Sequence, residues 1–83
     1  MRQTLKVDNQ RRTCDTDTAK LRAEHVVGAF GDPAGYEEKL YRNRTGFWFV
    51  WGVGGENSPY ANGEEIRAVD EDFVKNALNN WNN

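Results

Sequence analysis

The chain is poor in the side chains that carry most metal and covalent chemistry. It has one cysteine, Cys14, and one histidine, His25. A single cysteine excludes an internal disulfide and fits a reducing cytoplasm. A structural zinc site wants four nitrogen or sulfur ligands, usually in close pairs, and these two residues are not closely spaced. Asp15-Thr16-Asp17 lacks the glycine and downstream Glu that a calcium loop needs. No metal and no cofactor is expected. Apolar residues are scarce too, at 37% of 83 residues, and no run approaches the roughly 20 residues of a membrane span. Met1 to Lys6 lack the apolar stretch of a signal peptide. Net charge is small, at −2, which argues against bulk electrostatic attraction to nucleic acid or to an anionic membrane. The expectation is one small cytoplasmic domain over residues 1–83, with no membrane partner and no direct nucleic-acid binding.

What is present is aromatic and unevenly charged. Residues 1–12 carry Arg2, Lys6, Arg11 and Arg12 against Asp8 alone, and are expected to fray or form an edge strand. Residues 64–83 carry Glu64, Glu65, Asp70, Glu71 and Asp72 against Arg67 and Lys75. The densest apolar segment is Phe47 to Val53. Aromatic and β-branched residues at this density predict a strand. Period two places Phe47, Phe49, Trp51 and Val53 on one face and Trp48, Val50 and Gly52 on the other. Both faces are apolar, so the strand should be central, with a helix on at least one side. Glu38 to Arg42 precedes it as a second strand. Asn43-Arg44-Thr45-Gly46 joins the two as a turn plus bulge, with Gly46 at positive φ.

Thr18 to Val27 fits two patterns. Ala19, Leu21, Ala23, His25 and Val27 alternate with charged residues, while Ala19, Ala23, Val26 and Val27 also fit a helical stripe. The alternation is the longer pattern and favours a strand. Leu5 to Val7 is read as a further strand, paired with the Thr13-Cys14 region. Ile66 to Val69 is a short strand leading into a helix over 70–81. Asp70 caps that helix, Glu71 and Asp72 complement its dipole, and Phe73, Val74, Ala77, Leu78 and Trp81 form its apolar face. The fold class is α+β: a small antiparallel sheet of three to five strands with one C-terminal helix packed on it.

Few of these residues combine into chemistry. Cys14 and His25 would make a thiol–base pair if the strands brought them together, but a buried Cys and a rim His are the simpler reading. Gly52 to Asn57 follows a strand, as phosphate loops do, yet no lysine and no helix follow. Residues 54–63 are read instead as a long, exposed loop suited to recognition. Tyr41, Arg42, Arg44 and Trp48 are the candidates for stacking single-stranded bases on a sheet. Tyr36, Trp48 and Tyr60 beside arginine would equally suit a protein interface.

Several stretches together resemble a known group. Cys14-Asp15-Thr16-Asp17-Thr18-Ala19, Tyr36 to Arg42, Gly46 to Gly55 with Ser58 and Tyr60, and Ile66 to Glu71 are similar to segments of small uncharacterised bacterial and mobile-element proteins. That group shares a CDT-x-TA start, an LYR…G hairpin and a G-x-GG-x-x-S-x-Y loop. The resemblance covers about residues 13–81, and its motifs are structural. This chain departs from it at Trp48, at Trp51 and in a shorter loop after Tyr60. Small acidic proteins of phages and mobile elements are often inhibitors of host defence, anti-CRISPR proteins among them. By that analogy the chain is expected to be a non-enzymatic inhibitor of a host protein, such as a CRISPR effector subunit, working in the host cytoplasm. Candidate contacts are Glu56, Asn57 and Tyr60 on the loop, with Glu64, Glu65, Asp70, Glu71 and Asp72. The second reading is a nucleic-acid-binding module using Tyr41, Arg42, Arg44 and Trp48. A homodimer through an uncovered sheet edge is a further expectation.

Overall fold

The computed structural model describes residues 1–29 and 31–81. Six antiparallel strands and one helix follow in order: β1 (Arg2–Val7), β2 (Gln10–Asp15), β3 (Lys20–Val27), β4 (Tyr36–Arg42), β5 (Trp48–Gly54), β6 (Glu65–Ala68) and α1 (Glu71–Asn80). Strands β3-β4-β5-β6 form a four-stranded meander, and β1-β2 form a separate hairpin. The fold is α+β, with the C-terminal helix on the sheet. The main sheet has four strands, and the hairpin adds a third layer.

The central strand follows from its two apolar faces. Val50 packs with Ala23 and Leu40 against Val74 and Ala77 of the helix. Phe49 on the opposite face packs with Ile66 against Cys14 of the hairpin. A strand apolar on both sides needs two covers, and helix and hairpin supply them. The β4–β5 turn is as its residues predict: Gly46 has φ 86°, and the Asn43 side-chain oxygen accepts from the Thr45 and Phe47 backbone N–H groups at 3.1 and 2.9 Å. The helix begins at the expected cap, with the Asp70 carboxylate accepting from Phe73 N–H at 2.8 Å.

Residues 1–12 take the strand alternative, in a hairpin. Arg2 to Val7 pair with Gln10 to Asp15 through a two-residue turn in which Asp8 and Asn9 have φ of 52° and 64°. Two consecutive positive φ values are the type I′ geometry, whose twist matches the strands it joins. That turn sets the register, so Leu5 faces Arg12, and Thr13 and Cys14 face Thr4 and Gln3. Residues Lys20–Val27 are a strand, but the alternation read from sequence is broken by a bulge between Leu21 and Ala23. Leu21 therefore pairs with Tyr41 and stands 43% exposed, while Ala23 is buried beneath the helix. Among the described residues no helix is long and apolar enough to cross a membrane.

Candidate functional site

The most polar part of the interior is built around Glu38. Period two on β4 turns Glu38 to the helix side with Tyr36 and Leu40, and only 5% of it is exposed. Its neighbours across the sheet are His25 on β3 and Gly52 on β5. Gly52 has no side chain, and the Tyr60 ring fills the space a Cβ would take. The Tyr60 hydroxyl donates to Glu38 Oε2. Arg67 Nη2 donates to the same oxygen at 2.9 Å, with its guanidinium 5.5 Å from the Tyr60 ring centre. His25 Nε2 lies 2.8 Å from Glu38 Oε1. The His25 ring stacks on Trp81, with ring centres 4.0 Å apart. One carboxylate thus ties β3, β4, β6 and the β5–β6 loop together, and the His25 ring joins them to the helix end.

Burial alone would raise the Glu38 pKa. The hydrogen bonds from Tyr60 and His25 and the charges of Arg67 and His25 outweigh it and hold the carboxyl below its ordinary value. Burial first, and then the Glu38 carboxylate, push the Tyr60 hydroxyl well up. A low-pKa carboxylate with both oxygens occupied is a poor general base at neutral pH. The cluster therefore reads as an anchor.

What it anchors is the loop of residues 55–64. Ser58 Oγ donates to the Gly55 carbonyl at 2.7 Å and accepts from Tyr60 N–H at 3.1 Å. A Cβ on Gly54 would strike Ser58 and Tyr36, and one on Gly55 would strike the Pro33 carbonyl. The G-x-GG-x-x-S-x-Y motif is thus a packing device: each glycine vacates space for a named neighbour. Gly55 N–H donates to Gly35 O at 3.0 Å and Asn57 N–H to Pro33 O at 2.8 Å, which fastens this loop to the β3–β4 loop. Beside the joined loops lies an open concavity of about 710 Å³. Val26, Tyr36 and Val53 give it apolar walls, Asp32, Glu37 and Glu56 stand around it, and no Lys or Arg among the described residues lines it.

The residues singled out from sequence are dispersed by the fold. Glu56 and Asn57 are exposed at this end of the sheet. Tyr60 is 1% exposed, so it belongs to the anchor and not to the loop surface. Glu64 accepts from the Trp51 indole N–H at 3.1 Å, and Glu65 opens β6 opposite Gly52. Asp70, Glu71 and Asp72 lie beyond the other end of β6, where Asp70 caps the helix. Tyr41 and Trp48 sit on opposite faces of the sheet. Tyr41 stacks on Phe49 at 5.4 Å on the hairpin side, while Trp48 packs on the helix side beneath Arg42. They do not form one platform. Cys14 and His25 are likewise on opposite faces, and burial pushes the Cys14 thiol up, so no thiol–base pair forms. The sequence reading missed Glu38 and Arg67 as site residues. Its one available signal was a glutamate on the same strand face as Leu40. Comparison with protein-family models, curated proteins and solved structures finds no match to this chain.

Proposed function

We propose that the protein is a non-enzymatic binding protein of a phage or mobile element, which inhibits a host protein by occluding it. The observation that supports this reading is the concavity with apolar walls and carboxylates at Asp32, Glu37 and Glu56, held by two mutually bonded loops. A preformed surface loses little conformational entropy on binding. Apolar walls with a carboxylate rim complement a cationic surface that carries an apolar or aromatic projection. Nucleic-acid channels of CRISPR effectors are cationic, so an effector subunit in the host cytoplasm is the proposed partner. The resemblance to small mobile-element proteins supports the same class.

The test is capture from a bacterial lysate containing CRISPR effector complexes, before and after nuclease treatment. An effector subunit should be retained stoichiometrically, resist nuclease, and be lost with the double variant Glu37→Lys, Glu56→Lys. Retention unaffected by that charge reversal, or no retained effector, overturns the reading.

A further inference from the structure

At the opposite end of β3 and β4 the charge has the other sign. Thr18, Lys20, Arg22, Arg42, Asn43 and Arg44 line a concavity of about 320 Å³ where β3 begins and the β4–β5 turn closes. It contains four basic side chains. The ion pairs among the described residues are both made to Glu38, and neither uses any of the four.

The placement of these cations is costly. Lys20 stands directly opposite Arg42 across the strand pair, and like charges in that position destabilise a sheet. Arg22, two residues beyond Lys20, shares its face by the strand's period of two, and the bulge between Leu21 and Ala23 adds Ala23 to that face. Both guanidiniums lie over the Trp48 ring, Arg22 at 5.9 Å and Arg42 at 5.4 Å from its centre. The strand pair and the turn thus gather charges that repel each other, and an anion placed among them relieves the repulsion.

We propose that this corner binds the phosphate backbone of single-stranded nucleic acid. Guanidiniums match phosphate oxygens in geometry and charge. The Arg22 and Arg42 guanidiniums, held over the half-buried Trp48 ring, offer planes on which a base stacks. The concavity has the size of one nucleotide, so a strand would seat one unit in it and run its neighbours over the surrounding cations. Asp70, Glu71 and Lys75 line the adjoining hollow that Trp48 also walls, and its net negative charge disfavours the second strand of a duplex. The corner is separated from the acidic concavity by the length of β3, so the two sites stand or fall independently.

The experiment is fluorescence anisotropy with a labelled single-stranded oligothymidylate. Four phosphate contacts predict that affinity falls about fifty-fold between about 50 and 200 mM salt, from the slope expected for single strands. Lys20→Glu with Arg44→Glu removes two exposed cations that do not stack on Trp48, and should weaken binding by about tenfold or more. Its circular dichroism should match the parent protein. Lys6→Glu with Arg11→Glu, a charge-matched change on the hairpin, should leave binding within about twofold. No binding at low salt, equal losses in both variants, or equally tight binding of a duplex of the same length would overturn the proposal.

Discussion

At the scale of single residues, the chain commits most to Glu38. A buried carboxylate costs several kcal/mol unless donors surround it, and Glu38 has three, from Tyr60, His25 and Arg67. Tyr60→Phe keeps the ring that fills the space above Gly52 and removes one hydrogen bond to a charged group. It should cost about 1.5–3 kcal/mol, seen as a lower urea midpoint. The pH dependence has a definite sign. The folded pKa of Glu38 lies below its ordinary 4.5, so the stability from its ionised form is present above that value. It is lost as pH falls through the folded pKa. Urea midpoints measured downward from pH 6 should therefore decline below about 4.5. Glu38→Gln should be less stable at neutral pH and show a flatter acid limb. Little of this network was legible in the sequence. His25, Tyr60 and Arg67 lie 13, 22 and 29 residues from Glu38, and nothing local couples them. What period two does carry is the direction in which Glu38 points.

At the scale of elements, legibility followed local signal. β5 is dense in aromatic and β-branched residues, its turn has a glycine at the positive-φ position, and the helix has a cap and an apolar stripe; these were readable because each signal spans a few residues. Asp70→Ala should remove the cap bond to Phe73 and cost about 0.5–2 kcal/mol, with Asp70→Asn costing less. Chemical denaturation of the three proteins checks the order. The hairpin of residues 2–15 was harder to read. Its turn is Asp8-Asn9, without the glycine that usually marks such a turn, and Leu5 and Val7 are the apolar residues of β1. Its register is a property of the turn, so the strand read without the turn was paired only with the Thr13-Cys14 region, whereas Leu5 to Val7 face Gln10 to Arg12. The β3 bulge left no mark in composition, because the alternation of Ala19 to Val27 continues through it. The glycine motif did leave a mark, and packing explains it. Gly52→Ala drives a Cβ into the Tyr60 ring. It should cost about 1–3 kcal/mol and free the loop of residues 55–64, raising its rate of proteolytic cleavage.

At the scale of the whole molecule, the net charge of −2 conceals a segregated surface. Asp32, Glu37 and Glu56 stand at one end of the β3–β4 pair, and Lys20, Arg22, Arg42 and Arg44 at the other. Reading the total as evidence against nucleic-acid binding treats charge as evenly spread, and the fold does not spread it. The free edge of β3 lies between the two ends. Leu21, Val26 and Val27 are exposed along it, yet Lys20, Arg22, Glu24 and the bulge all blunt strand pairing. Sedimentation at micromolar concentration should therefore report a monomer, unchanged by Val26→Lys. The two ends can then be tested against each other in one background. Reversing Glu37 with Glu56, and reversing Lys20 with Arg44, change net charge by equal amounts in opposite senses. If binding follows total charge, the first variant gains nucleic-acid affinity and the second loses it, while protein capture responds in the opposite sense. If binding follows location, each variant loses only the partner of its own end. The arrangement of the sheet predicts the second outcome, because the ends lie about 20 Å apart, at least twice the distance over which physiological salt screens a charge.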